Sequence, residues 1–542
     1  MPKPALLCIT QVLLQFDINL SKELNLPDFQ GQGDLTNDSR QIKSGDIFCA
    51  IIGKAQDGRQ YINNAIERGA SLIISECEQQ AEHGNICTVS TDCIDTAGTI
   101  DVDKKQVPMV SFYQLNSQLF ELANTYQAAK NQAPQTQMTM IGVTGTNGKT
   151  STSQLLAQLL SRSGKPCAII GTNGAGIIDI EKESRLTELA NTTPSATDLV
   201  QLFTTFIDQG ASHLVMEVSS HALEQKRVSS DVFDIAIFTN LSRDHLDYHG
   251  SMTEYAAEKR KLFTHNHNQI AVLNADDLQV QAWLKNWPTP TELWLYGRNE
   301  QVSKHQQFVS CHSIKHHDEG VDFTLNSHLG EISINSPLLG DFNIDNLLAV
   351  ISALLIEKLP LNIIAEHIKS LKAIKGRMES FSAQADLANT PVAVVDYAHT
   401  PDALEKALIA CRQHCHGKLF VVFGCGGDRD KGKRALMAEV AEKHADHLVV
   451  TNDNPRTETP MSIINDVLAG LTKQANVSVI ENRKQAVLTT LRKAKKGDLV
   501  LLAGKGHEDT IILGQQKIAY NERQIVMDFF DSLQVSQTGE LA

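Results

Sequence analysis

The sequence predicts an α/β protein of three domains, and three observations carry that prediction. The chain is too long for a single core, short apolar runs alternate with helical patterns from Met138 onward, and one of those runs ends in a glycine-rich turn that opens a helix. The centre, over 136–375, reads as a doubly wound, P-loop ATPase-like sheet. A small N-terminal α/β domain over 1–135 precedes it, and a Rossmann-like α/β domain over 376–542 follows. At 542 residues, length alone suggests roughly three to four domains.

The turn is Ile141-Gly142-Val143-Thr144-Gly145-Thr146-Asn147-Gly148-Lys149-Thr150, followed by a helical pattern from Ser151 to Leu160. Gly145 and Gly148 let backbone N–H groups of Thr146, Asn147 and their neighbours face an anion, and the helix N-terminus adds a favourable dipole. Lys149 suits the outer phosphates of ATP or GTP and the Thr150 hydroxyl suits magnesium. The strict nucleotide loop has a glycine where this chain has Val143, so the pattern is a variant.

Composition is that of an ordinary soluble protein, with 42% hydrophobic and 21% charged residues. A net charge of −14 argues against a surface that coats nucleic acid, while leaving room for a local cationic cleft. Ten cysteines scattered through so long a chain fit a reducing cytosol better than a disulfide framework. The Leu6–Leu14 run is broken by Gln11 and lacks a cleavage signature, so it reads as the start of the mature protein. No stretch reaches the roughly 18 apolar residues of a membrane span. A cytoplasmic protein without membrane insertion is expected, and a monomer is the working expectation.

In the first domain, Asp38-Ser39-Arg40 and Gly53 to Arg59 adjoin strand-like runs; each is either a ligand-binding loop or a capped turn. Asn131 to Gln137 reads as a linker. In the centre, strands are expected at Met140 to Val143, Ala168 to Gly171, His213 to Val218 and Asp234 to Thr239, with a helix after Ser195. Glu217 follows the apolar Leu214-Val215-Met216; it either offers a carboxylate to magnesium or caps the helix beginning at Ser219. The segment Asn240 to Gly250 is dense in polar groups, but its His245/His249 pair lacks the glutamate at 246 that a catalytic zinc helix requires. Lys259 lies on a helix from Ser251 to Leu262, and periodicity alone puts it at the surface. Between Trp287 and Glu331 the patterns weaken, which predicts a polar, irregular surface, and Cys311, His312, His316 and His317 fit no standard metal spacing. Asn343 and Asn346 either meet a nucleotide base or cap the helix Leu347 to Ile356.

Another α/β set follows Gly376-Arg377, with strands at Val392 to Val395, Leu419 to Phe423, His447 to Thr451 and Leu499 to Ala503. Two strand ends carry chemistry. Asp453-Asn454-Pro455-Arg456 sets a guanidinium fork on a turn, and Gly504-Lys505-Gly506-His507-Glu508 supplies a carboxylate. Arg456 and Glu508 either take the carboxylate and ammonium of an amino acid or form a plain ion pair. Cys411, His414, Cys415 and His416 are not expected to hold a metal.

Together, Gly142 to Thr150, Glu217 to His221, His245 to Gly250, Gly376-Arg377 and Asp453 to Arg456 resemble the Mur ligase family of ATP-dependent peptidoglycan-precursor enzymes. The resemblance spans all three domains, and the Asp-Asn-Pro-Arg tetrad resembles the members that add meso-2,6-diaminopimelate. It implies an ATP-dependent ligase that attaches this amino acid to the D-glutamyl carboxylate of UDP-N-acetylmuramoyl-L-alanyl-D-glutamate through an acyl phosphate. Ser39, Thr192, Thr193, Ser219, Gln225 and Arg227 are implied to hold the UDP substrate, and Asn343, Asn346 and Arg377 to join the glycine-rich loop around ATP. Mg2+ is implied near Thr150, Glu217, His245 and Lys259, with Lys259 carbamylated; Lys149, Glu217, His245 and Lys259 form the implied catalytic set. Arg429, Asp453, Asn454, Pro455, Arg456, Gly504 and Glu508 are implied around diaminopimelate. Rival readings are a sister ligase for L-lysine or another amino acid, a folylpolyglutamate-type synthetase, and a nucleotide-driven switch that forms no bond.

Overall fold

The computed structural model describes residues 4–20, 33–54, 56–90, 106–131, 138–180, 186–263, 269–287, 292–317, 320–383, 390–472 and 476–538. Most of the expected linker, 132–137, lies outside the described residues, as does the 135/136 boundary. Two compact units form. One comprises Met1–Ser153, Leu160–Val272 and Gln281–Leu293, and the other Gln154–Leu159, Leu273–Val280 and Trp294–Ala542.

The first unit contains a five-stranded sheet in the order Leu35–Thr36, Ile47–Ala50, Leu72–Cys77, Gln106–Tyr113, Ile86–Ser90. Its pairs are parallel except the last. It also contains the predicted doubly wound arrangement, with Ile235–Phe238, Thr139–Thr144, His213–Glu217 and Cys167–Gly171 side by side and parallel. Gly174–Ile177 adds an antiparallel strand beside Cys167–Gly171. The parallel strands are almost wholly buried, as near-continuous apolar runs require. Four strand ends therefore open on one edge, and they carry the loop at 145–148, Thr172, Val218-Ser219 and Thr239-Asn240.

In the second unit, Phe308–His317, Gly320–Ser327 and Gly330–Ser336 form an antiparallel meander, and Phe308–His317 runs parallel to Glu292–Gly297. This corrects the expectation of an irregular surface over 287–331. The strands were hidden because one face is polar and a register shift between His312 and Lys315 breaks the alternation. A six-stranded sheet follows in the order Glu379–Phe381, Val392–Asp396, Leu499–Ala503, Leu419–Phe423, His447–Val450, Val477–Val479. All its pairs are parallel except the first, as a Rossmann-like sheet with one antiparallel edge. A hairpin, Thr510–Leu513 with Gln516–Ala519, stands beyond it in sequence. Among the described residues no helix is long and apolar enough to cross a membrane.

One buried ion pair fastens the last helix to this sheet. Arg483 donates Nε–H to Glu522 Oε2 (2.6 Å) and Nη2–H to Glu522 Oε1 (2.8 Å) and to the Ala503 carbonyl (2.8 Å). The Tyr520 hydroxyl also donates to Glu522. Removing one partner of such a pair strands a buried charge. Glu522→Ala is expected to destabilise this unit by about 3–5 kcal/mol, read as an earlier urea transition, with Glu522→Gln less damaging.

Candidate active site

The glycine-rich loop is closed by its neighbours. Gly145 (φ 147°) and Gly148 (φ 85°) take backbone conformations that side chains resist, and a Cβ at Gly145 would lie 1.9 Å from the Thr239 hydroxyl. Thr146 N–H donates to the Asn240 carbonyl (2.8 Å), Asn147 N–H to Asn240 Oδ1 (3.0 Å), and the Thr239 hydroxyl to the Asn147 carbonyl (2.6 Å). Lys149, the first residue of helix Lys149–Arg162, folds its ammonium back onto the carbonyls of Gly145 and Thr146, both at 2.9 Å.

Glu217, 1% exposed, is the junction of three strand ends. Its carboxylate accepts from the Thr150 hydroxyl (3.0 Å), the Thr172 N–H (2.9 Å) and the Thr172 hydroxyl (3.1 Å). It does not cap the next helix; Ser219 does, accepting from Ala222 N–H at 3.1 Å. A Cβ at Gly171 would lie 2.2 Å from Glu217 Oε1, so this strand must end in glycine for the carboxylate to fit. Thr172 escaped the sequence reading, although its place one residue past a parallel strand was the available signal.

Thr192 touches Thr172 through their hydroxyls (3.1 Å), and Thr193 bridges the Glu217 carbonyl and the Ser219 N–H. Arg227 donates to the Thr193 carbonyl and to Gln225, and Gln225 donates to the Tyr248 hydroxyl (2.8 Å). Tyr248 in turn donates to Glu224 (2.6 Å), which pairs with Lys54 of the Gly53–Arg59 loop at 2.6 Å. Glu224 and Tyr248 were not read from sequence. Ser39 is buried in a short turn capped by Asp38, and Asn37, just before that cap, accepts from the Thr197 hydroxyl at 2.8 Å.

Lys259 corrects the surface reading. It is 1% exposed, near the end of helix Met252–Arg260, and its Nζ donates to the Gly145 carbonyl at 2.8 Å. The amine also lies 4.5 Å from the centre of the Tyr255 ring, and the Tyr255 hydroxyl is 3.2 Å from the Thr146 hydroxyl. Burial, and then the Lys149 charge, drive the Lys259 pKa well below the ordinary lysine value, against a smaller opposing effect of Asp244. Helical periodicity could not reveal this, because the contact that buries Lys259 comes from 114 residues away in sequence. His245 is half exposed in a left-handed conformation (φ 53°), with Nε2 3.3 Å from Asp244 and its ring 5.0 Å from that of His221. His249, its i+4 neighbour, meets the Ser220 hydroxyl at 2.9 Å. Among the described residues no three His, Cys, Asp or Glu side chains gather as a metal-binding group.

In the second unit, helix Asp341–Ile356 starts six residues before the expected position, so Asn343 and Asn346 lie inside it and cap nothing. Both are buried; Asn343 Nδ2 donates to the Leu339 carbonyl (2.9 Å) and Asn346 Nδ2 to Asn343 Oδ1 (3.1 Å). Arg298 joins Asp341 (2.8 Å) and Asp345 (2.9 Å) on the same helix, and burial pushes the Asp345 carboxyl up to about 6 despite that cation. His414 accepts the Gly340 N–H on Nε2 (3.0 Å), so its Nδ1–H donates to the His317 carbonyl (2.7 Å), a neutral structural tautomer. Arg377 lies over the Tyr397 ring at 4.7 Å, and its buried Nε has no hydrogen-bond partner among the described residues. The neighbouring Asp396 accepts the N–H groups of Met378 and Ala398.

The Asp453–Arg456 turn and the 504–508 loop meet. Arg456 is left-handed (φ 52°); its N–H donates to the Ile512 carbonyl, its carbonyl accepts from Gly514, and Nη1 donates to the Gly427 carbonyl at 2.8 Å. A Cβ at Gly426 would lie 2.9 Å from Arg456 Nη1 and 3.9 Å from Arg429 Cγ, so the half-buried Arg456 and the exposed Arg429 flank that glycine. Pro455 is buried behind the turn, and a Cβ at Gly504 would lie 2.7 Å from Asp453 Oδ2. Glu508 pairs with Lys505 (2.7 Å), rather than with Arg456, and accepts from Asn454 Nδ2 (3.0 Å). Lys505 and Arg483 were missed as site neighbours; Arg483 Nη1 lies 3.6 Å from Asp453 Oδ2.

Family models cover each part of the chain: the Mur ligase family catalytic domain over 34–127, the Mur ligase middle domain over 143–354, and the Mur ligase glutamate ligase domain over 376–506. A relative from Haemophilus influenzae (strain 86-028NP), named UDP-N-acetylmuramoyl-L-alanyl-D-glutamate--2,6-diaminopimelate ligase, is 42% identical over 94% of this chain and 99% of its own. A solved structure titled with the same activity is 31% identical, with a TM-score of 0.65 over 92% of this chain and 95% of that one. The MurF ligase from Thermotoga maritima in complex with ADP, at 17% identity, shares the fold with a TM-score of 0.60 over 94% of this chain and 99% of its own. With matching models from residue 34 to residue 506 and a near full-length relative, this chain belongs to the Mur ligase family.

Proposed function

We propose that this chain is an ATP-dependent amide ligase that joins meso-2,6-diaminopimelate to the D-glutamyl carboxylate of UDP-N-acetylmuramoyl-L-alanyl-D-glutamate, in cytoplasmic synthesis of peptidoglycan precursors. The relatives named for this reaction support it. The observation that carries it is the turn at Asp453–Arg456, which holds the Arg456 guanidinium at the Gly427 carbonyl and ties its Asn454 to the Glu508 carboxylate. That pairing suits a substrate bearing both a carboxylate and an ammonium group.

The three domains in this reading are 1–135 for the UDP substrate, 136–375 for ATP and 376–542 for the amino acid. Thr193, Ser219, Gln225 and Arg227, already one hydrogen-bonded group, hold the UDP substrate together with Ser39 and with Thr192, which reaches them through Thr172 and Glu217. The loop Gly145–Thr150 is assigned to the phosphates of ATP; Asn343 and Asn346 are assigned to the base, and Arg377, whose buried Nε has no hydrogen-bond partner among the described residues, to phosphate. Arg429, Asp453, Asn454, Pro455, Arg456, Gly504 and Glu508 hold diaminopimelate.

Magnesium fits the loop. Glu217 and Thr150 offer oxygen donors beside the phosphate site, and the ion favours few protein oxygens. Thr150, Glu217, His245 and a carbamylated Lys259 would hold it, and it would supply charge neutralisation at the phosphates. The depressed pKa of Lys259 favours the neutral amine that reacts with carbon dioxide. Addition of that amine to carbon dioxide, with loss of one proton, gives a carbamate.

In the reaction, the D-glutamyl carboxylate attacks the γ-phosphorus of ATP, the bond from that phosphorus to the bridging oxygen breaks, and ADP leaves. Lys149 stabilises the charge that spreads over the transferring group. The diaminopimelate amine then attacks the acyl carbon, the bond to phosphate breaks, and loss of the amine proton completes the amide. Positioning and charge stabilisation account for the catalysis, since phosphoryl transfer demands little covalent chemistry from the protein.

Phosphate release and product mass, measured with ATP, magnesium and the UDP-dipeptide, are expected only when meso-diaminopimelate is supplied. Preference for L-lysine would overturn the assignment of Arg456, and amine-independent release would favour a nucleotide switch. Lys149→Ala is expected to lower kcat by about 10²–10³-fold, whereas Arg456→Ala should raise KM for diaminopimelate by about 30-fold or more with KM for ATP unchanged. Lys259→Met should abolish turnover while leaving thermal stability unchanged or raised, because the depressed pKa means burial opposes the ammonium form. Native mass spectrometry should find one added carbon dioxide on the wild-type chain and none on Lys259→Met.

A further inference from the structure

A lysine with no solvent exposure needs an explanation. Lys505 is 0% exposed, and its ammonium uses all three protons on Glu508 Oε2 (2.7 Å), Asn454 Oδ1 (2.8 Å) and the Thr510 carbonyl (2.7 Å). Asn454 is thereby fixed in orientation. Its oxygen accepts from Lys505 and from the Ile512 N–H (2.9 Å), and its Nδ2 donates to Glu508 Oε2 (3.0 Å). Turning the amide over would set its NH2 group against the ammonium. Among the described residues both donors to Glu508, Asn454 and Lys505, sit on the same oxygen, Oε2, which leaves the Oε1 lone pairs for a ligand.

We propose that Lys505 is a positioning residue of the amino-acid subsite: it locks Glu508 and Asn454 into one orientation so that Glu508 Oε1 meets the ammonium of the incoming amino acid. The inference rests on the assignment of Glu508 to that substrate. Lys505 touches no substrate itself. It acts by removing the rotational freedom of a carboxylate that would otherwise be ordered only on binding, and ordering before binding strengthens affinity. The alternative is a purely structural role, pinning the hairpin Thr510–Leu513 through the Thr510 carbonyl.

A double-mutant cycle on the full chain separates these, using Lys505→Met, Glu508→Gln and the pair, with KM for meso-diaminopimelate and for ATP and a thermal melt for each. Each single substitution is expected to raise KM for diaminopimelate by about 10- to 100-fold and to move KM for ATP by less than about twofold. Because Lys505 acts through Glu508, the pair should be no more than about threefold worse than Glu508→Gln alone. Multiplying penalties, or an equal rise in KM for ATP, would overturn the proposal in favour of the structural role. If Glu508→Gln leaves KM for diaminopimelate unchanged, the assignment of Glu508 fails and the proposal with it. If Glu508→Gln raises it and Lys505→Met does not, only the proposal fails. Lys505→Gln, which keeps an N–H donor of similar reach without the charge, carries the same test should Lys505→Met not fold.

Discussion

A carboxylate buried at the edge of a parallel sheet has to be satisfied by its neighbours, and much of the first unit follows from how Glu217 is satisfied. Its acceptors draw in Thr150 from the glycine-rich loop and Thr172 from the next strand end, while its own carbonyl takes Thr193. The glycine-rich loop and the Thr193–Ser219 pair thus share one residue. Gly171 is the geometric condition for it, since any side chain there would displace the carboxylate.

The charges around that point are arranged against their usual habits. Lys149 and Lys259 converge on the same carbonyl of Gly145, and a second ammonium so close, away from water, is unfavourable. Burial, and then the Lys149 charge, lower the Lys259 pKa well below the ordinary lysine value. Two lysines that look equivalent in a list of residues therefore sit in different environments, one at the start of a helix and the other almost wholly buried.

Much of this was legible in the chain because it is local. The Gly-Lys-Thr loop, the Ser195 and Ser251 caps and the uniformly apolar strands Leu419–Phe423 and Leu499–Ala503 declare themselves within a few residues. What stayed hidden is non-local. Lys259 is buried by a loop far away in sequence, and Glu508 finds Lys505 rather than the guanidinium that its chemistry alone suggested. The meander over 308–336 was missed for another reason: a strand with one wet face and a bulge carries little periodic signal. The resemblance to a family corrected Lys259, but it gave no hint of Lys505 or Arg483.

The left-handed backbone of Arg456 limits how this protein can change over evolutionary time. That conformation disfavours β-branched and bulky residues and tolerates asparagine and glycine. Arg456 already bears that backbone cost, of order 1–2 kcal/mol, so exchange for another unbranched side chain adds little strain, whereas a β-branched residue adds more. Mutational drift at this position is thereby channelled: asparagine and glycine relieve the strain, other unbranched side chains inherit it, and valine, isoleucine or threonine would have to rebuild the turn first.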